Sequence, residues 1–206
     1  MLRTYKELRD AGWADLLGKW TEAVLFALVY FAITGVASNI PAVGSILALL
    51  IVPIGYGWTK AYLTNRRTSD KKSFNIERLF DGFKDGQYGR VLGTMLLVGL
   101  YTILWLLLLI IPGIIKSLSY SLTEYILIDN PELSYNEAIE LSMDMMNGHK
   151  MDLFVLYLTF IGWFLLCLLT LGIGFLWFTP YVAATEANFY EDVKREYESR
   201  DSYAKE

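Results

Sequence analysis

Apolar positions along the chain gather into six blocks, at about 20–37, 44–62, 91–111, 113–128, 151–171 and 174–190. Blocks of roughly 18–22 residues match the helix length needed to cross about 30 Å of hydrocarbon. The pattern therefore predicts an all-α fold, an integral membrane bundle of six transmembrane helices. Short connections alternate with long ones. SNIPAVG follows the first block, PG separates the third from the fourth, and GIG separates the fifth from the sixth. Proline lacks a backbone donor and glycine readily takes positive φ, so both end helices. The six spans are expected to pair as three tight hairpins, making up a membrane domain over 20–190.

The long connections are charged. Linker 63–90 holds Arg66, Arg67, Lys71, Lys72, Arg78, Lys84 and Arg90; segment 1–19 adds Arg3, Lys6, Arg9 and Lys19; tail 191–206 adds Lys194, Arg195, Arg200 and Lys205. The short turns hold neither lysine nor arginine, although Lys116 lies just inside the fourth block. Positive residues stay on the cytoplasmic side. Both termini, linker 63–90 and linker 129–150 are thus expected in the cytoplasm, and segment 1–20, which has no short apolar core, is read as uncleaved. Three cytoplasmic pieces have the pattern of interfacial helices. Leu2, Tyr5, Leu8 and Leu16 in 1–19, with Trp20 just after it, recur near helical spacing. Phe74, Ile76, Leu79, Phe80 and Phe83 form an apolar side between basic residues, which suits anionic headgroups. Ser134 and Glu137 make a capping box, with Leu133 and Ala138 as a staple, for a helix ending near Gly148.

Composition agrees with a membrane protein and narrows the chemistry. Hydrophobic residues are 54% and charged residues 19% of the chain. A net charge of −4 leaves no basic stripe to displace counterions from phosphates, so no nucleic-acid partner is expected. The one cysteine, Cys167, can form no intrachain disulfide and reads as a small core residue. A lone His149 cannot build a zinc-hydrolase site, Glu137, Glu140 and Asp144 read as a solvated face, and no G-x-S-x-G elbow is present. No catalytic residue, metal or cofactor is expected. The GYG at 55–57 lacks the context of a potassium filter, and its glycines read as close helix contacts or a kink after Pro53.

The fourth block is the informative one. At 100° per residue Lys116, Ser117, Ser119, Tyr120, Ser121, Thr123 and Glu124 share one face, with Leu118, Leu122, Tyr125 and Ile126 opposite. A polar face in hydrocarbon must meet protein or water, so it is expected to turn inward while the leucine side meets lipid. Ser117 and Ser121 form a small-xxx-small pair for close helix approach. Lys116 can snorkel outward. Glu124 lies about 7 Å below the cytoplasmic end at helical rise, and Glu186 sits at comparable depth in the sixth block. Lys116, Tyr120, Glu124 and Glu186 are the candidate ion or solute site. The competing reading is that each carboxylate caps a helix, pairs with a base such as Lys60 or Arg90, or reaches headgroup water. Gly113–Tyr120 and Gly174–Tyr181 share a spacing that raises, without deciding, an internal triplication.

LLGKWTEAVL, LWLLLLIIPGIIKSLSYSLTEYILIDNPELSYNEAIELSMDMMNGHK and LTFIGWFLLCLLTLGIGFLWFTPYVAATEANFY resemble the bacterial integral-membrane family called domain of unknown function 975 (DUF975). The family pattern usually has asparagine where this chain has Lys19. The resemblance implies a multi-pass protein of the bacterial plasma membrane and carries over no catalytic residue. Two functions stay open. One is a non-enzymatic scaffold or envelope-homeostasis factor that meets lipid headgroups and either a membrane-protein partner or a second copy of itself. The other is a small transporter, channel or lipid-binding protein using the polar face around Glu124 and Glu186.

Overall fold

The computed structural model describes residues 2–38, 50–68, 70–84 and 86–204. All regular elements among them are helical. They are α1 (Tyr5–Leu16), α2 (Trp20–Ser38), α3 (Pro53–Thr68), two 3-10 segments (Lys71–Phe74 and Ile76–Phe83), α4 (Tyr88–Leu108), α5 (Ile110–Tyr120), α6 (Thr123–Asp129), α7 (Tyr135–Met145), α8 (Lys150–Leu158), α9 (Ile161–Leu169) and α10 (Phe175–Ala204).

Among the described residues three stretches are long and apolar enough to cross a membrane: Trp20–Ala37, Tyr88–Leu108 and Lys150–Leu169. These correspond to the first, third and fifth expected spans, so the expectation of six such helices is corrected to three. The reason lies in the other arm of each hairpin. The block at 113–128 is divided between α5 and α6, each far shorter than a bilayer crossing. The block at 174–190 opens α10, where Thr179, Pro180, Thr185, Glu186 and Asn188 dilute the apolar run. Most of the SNIPAVG turn and the first six residues of the block at 44–62 fall outside the described residues, and the described α3 carries Lys60, Arg66 and Arg67. First arms are therefore long, apolar and mostly exposed, whereas the second arms bury Ile54, Tyr62, Ile126, Leu127, Ala184 and Phe189 against one another. Helices that face other helices can hold polar side chains that a lipid-facing helix cannot.

The turns differ in detail from their expected positions. The chain reverses at Leu109, in extended conformation, and Pro112-Gly113 lies inside the first turn of α5. Proline is tolerated there because first-turn amides lack an intrahelical acceptor anyway. Pro53 likewise heads α3 instead of kinking it. The GIG turn is observed: Leu171 (φ 53°) and Gly172 (φ 89°) are left-handed, and the Gly172 N–H donates to the Cys167 carbonyl at 3.1 Å.

Segment 1–19 yields α1, capped by Thr4 and Glu7. Its apolar positions Leu8 and Leu16 are buried in protein, chiefly against α10, so that only Trp13 and Leu17 remain exposed on it as large hydrophobics. The basic segment after α3 folds as 3-10 turns that bury Phe74 and Leu79 and leave Ile76, Phe80 and Phe83 exposed. Ser134 heads α7 as read from the sequence, with the Glu137 carboxylate accepting from the Ser134 N–H at 2.8 Å. Ser134→Ala opens this capping box and should lower the thermal unfolding midpoint by about 2–4 °C in detergent.

Candidate functional site

Helical spacing on α6 and α10 assembles the polar interior. Glu186, Tyr190 and Lys194 recur every four residues on α10, and Tyr125 and Asp129 are four apart on α6, so each set forms a stripe. The stripes meet where Tyr125 stacks on Tyr190, with ring centroids 4.8 Å apart. On one side of this stack the Tyr157 hydroxyl donates to Glu186 Oε1 at 2.8 Å. A cavity of about 30 Å³ adjoins them, lined by Ser121, Tyr125, Leu153 and Phe189 among others. On the other side lies a charge cluster. Arg67 from α3 grips both oxygens of Asp129 at 2.7 Å, and its Nε reaches Glu191 at 2.6 Å. Tyr190 and Lys194 each donate to Asp129 Oδ2 at 2.7 Å. Burial would raise the Asp129 carboxyl, but the hydrogen bonds from Arg67, Lys194 and Tyr190 outweigh it and hold it down at about 2.

The four residues singled out from the sequence do not converge. Glu124 accepts from the Thr59 hydroxyl of α3 at 2.5 Å and faces Gly55, where a Cβ would stand 3.2 Å from the carboxylate. Glu186 lies within electrostatic range of Glu124 but bonds to Tyr157 instead. The Lys116 ammonium lies 5.2 Å from the Trp105 ring of α4, a cation–π contact. Tyr120 is buried beside Tyr101. The bases proposed as partners for the glutamates are occupied elsewhere. Lys60 pairs with Asp81 at 3.1 Å, and Arg90 closes the end of α6 through the Leu127 and Asn130 carbonyls at 2.9 and 3.0 Å.

The two-faced reading of the fourth block is also corrected. Leu118, Leu122, Tyr125 and Ile126, expected against lipid, are buried, while Ser117 is exposed. Hydroxyls of Ser119 and Ser121 bond back to the Ile115 and Leu118 carbonyls, and the helix breaks between α5 and α6. Such back-bonding competes with the helical ladder, so one periodicity does not run through the block. Close approach involves Ser119 instead of the Ser117/Ser121 pair, because the Ser142 hydroxyl of α7 donates to the Ser119 carbonyl at 2.8 Å.

The stretch that holds these stripes is also the one that other proteins share. Residues 100–197 match the model of a family described as Protein of unknown function (DUF975). Over that segment, just under half of the chain, it is similar to DUF975 proteins. No curated protein and no solved structure matches it significantly. The DUF975 segment contains Glu124, Asp129, Tyr157, Glu186 and Lys194 but not α1–α3, which supply Thr59 and Arg67 from outside it.

Lys19, the departure from the DUF975 pattern, is buried at the elbow between α1 and α2. Its ammonium donates to Asn65 Oδ1 at 2.6 Å, and the Asn65 amide donates to the Asp15 carbonyl at 2.9 Å. Asn188 of α10 joins through Asp15 at 2.6 Å, and Arg3 clamps Asn188 and Asp192. This polar joint ties the amino-terminal helix to α3 and α10. His149, at the head of α8, sits between Asp152 at 3.3 Å and Glu196 at 3.6 Å. Among the described residues no group of three His, Cys, Asp or Glu side chains is placed to hold a metal ion. Thr59, Arg67 and Tyr157 were missed from the sequence. Arg67 lies two helical turns beyond Thr59, a shared face that spacing could have shown, whereas nothing local marks Tyr157.

Proposed function

We propose that this protein is a non-enzymatic, multi-pass scaffold of the bacterial cytoplasmic membrane acting in envelope homeostasis, with both termini on the cytoplasmic side. In this reading α2, α4 and the α8–α9 pair cross facing lipid. Helices α3, α5–α6 and α10 return the chain inside them, and the charged linkers stay in the cytoplasm. The exposed Ile76, Phe80 and Phe83 next to Arg78 and Lys84 favour contact with anionic headgroups. A membrane-protein partner or a second copy would be held by the same bundle.

The observation that carries this reading is the engagement of the intramembrane carboxylates. Glu124 and Glu186 each take a hydroxyl from a neighbouring helix, and Lys116 turns away to Trp105. Their arrangement ties helices together. The transport alternative rests on the cavity beside Glu186, whose 30 Å³ suit one water molecule and not a solute path. Proteoliposomes loaded with potassium, sodium or a pH dye test the choice. Flux should equal that of protein-free vesicles, and a Glu124→Gln/Glu186→Gln protein should behave the same. Flux above that background, abolished in the double variant, would overturn the scaffold reading.

A further inference from the structure

Away from the polar stripes, α1, α2, α9 and α10 enclose an apolar groove of about 420 Å³. Trp13, Trp20, Trp163, Trp177, Cys167 and Tyr181 are among the residues that line it. Trp13 packs against Trp20 and Tyr181, with ring centroids 4.7 and 5.7 Å apart, so these three rings form one aromatic cluster in its wall. Among the described residues no charged side chain lines the groove. Its one hydroxyl side chain besides Tyr181, Thr170, is already engaged, donating to the Cys167 carbonyl at 2.8 Å and accepting from the Gly174 N–H at 2.9 Å. Such walls offer water almost nothing to bond, and apolar cavities of this kind stay dry.

Two further facts choose the occupant. The groove runs along α10 from Gly174 to Tyr181, a length of about 10 Å at helical rise. It opens between two stretches apolar enough to cross a membrane, Trp20–Ala37 and Lys150–Leu169, so lipid tails are the medium that reaches it. We infer that the groove holds one acyl chain of a membrane lipid, recognised through its hydrocarbon and not its headgroup. Since lipid tails are as apolar as the groove, the chain is held by close van der Waals packing on the indole faces.

Brominated acyl chains quench indole fluorescence on contact, and the six tryptophans supply reporter and controls. Three full-length variants, Trp20→Phe, Trp58→Phe and Trp105→Phe, and the unaltered protein are reconstituted in vesicles of mixed brominated and unlabelled phosphatidylcholine, and the emission of each indole is read as the difference between unaltered protein and variant. Trp20 emission should fall in direct proportion to the brominated fraction, as for a single bound chain. Exposed Trp105 should fall more steeply, because several lipids exchange over it, and Trp58, packed among Phe26, Tyr30 and Tyr62, should be the least affected. Brominated phosphatidylglycerol should give the same Trp20 curve. Cys167→Phe, which adds a ring to the groove, should at least about halve the Trp20 quenching; Leu166→Phe serves the same purpose should the first variant not fold. An unquenched Trp20, a curve like that of Trp105, or dependence on headgroup would each overturn the inference. It rests on the membrane reading alone. Protein that does not float with vesicles fails that reading, whereas floating protein with an unquenched Trp20 fails only this one.

Discussion

Asp129→Ala should lower the unfolding free energy by about 2 kcal/mol, measured by denaturant titration in detergent. The substitution leaves Arg67 and Lys194 without their shared carboxylate and Tyr190 without its acceptor. Removing one partner of a buried ion pair costs about 3–5 kcal/mol, but solvent screening at Arg67 and Lys194, each about a third exposed, reduces that figure. Three elements loosen together, since Arg67 belongs to α3, Asp129 to α6 and Lys194 to α10. The pH dependence has a definite sign. A carboxyl whose folded value lies below its ordinary 3.8, here at about 2, stabilises the fold above that ordinary value. The stability is lost as pH falls through the folded value. The gap between wild type and Asp129→Asn should therefore be constant above about pH 4 and close toward pH 2. A gap that persists at the lowest pH would mean that packing, and not charge, makes the difference.

Gly57→Ala should cost more, about 3 kcal/mol, and reduce the yield of folded protein recovered in detergent. A Cβ at Gly57 would overlap the carbonyl oxygens of Arg78 and Leu79, where the 3-10 segment crosses α3. Those are backbone atoms and cannot rotate aside. The same substitution in open helix favours folding by roughly 0.5–1 kcal/mol, because alanine loses less backbone entropy than glycine. Gly99 in α4 has nothing within 4 Å of its Cβ position, so Gly99→Ala supplies that control and should be neutral or slightly stabilising. Equal effects at the two sites would show that the close approach at Gly57 is not required.

These two positions stood differently in the sequence. Gly57 reads from its surroundings as a close-contact residue, and the structure supplies the surface it approaches. Asp129 reads only as the end of a span, because its partners lie more than sixty residues away on either side. Ser134 and Glu137 were legible as a capping box because both halves of the interaction lie within one turn. The polar face of the fourth block was legible as a pattern and mistaken as a geometry. The helix is interrupted between Tyr120 and Thr123, and a periodicity of 100° per residue holds only while the helix is continuous. Lys19, which reads as an interfacial residue, is buried on Asn65, a partner that no local pattern discloses.

What the sequence by itself determined is what depends on neighbours in the chain: an all-helical protein, apolar arms paired at proline and glycine turns, charged connections between them, capped surface helices and a likeness to DUF975 over residues 100–197. Burial of polar groups depends on which helices face each other, and only the tertiary structure decided that. It placed the long apolar arms outside and the shorter, more polar arms inside, and among the described residues three helices, not six, are long and apolar enough to cross a membrane. It separated Lys116 from Glu124, gave each glutamate a hydroxyl from another helix, and gathered Arg67, Asp129 and Lys194 into one cluster. Hydrophobic period is a local quantity, whereas an ion pair or a groove is made by residues that are distant in the chain and become close only when the helices pack.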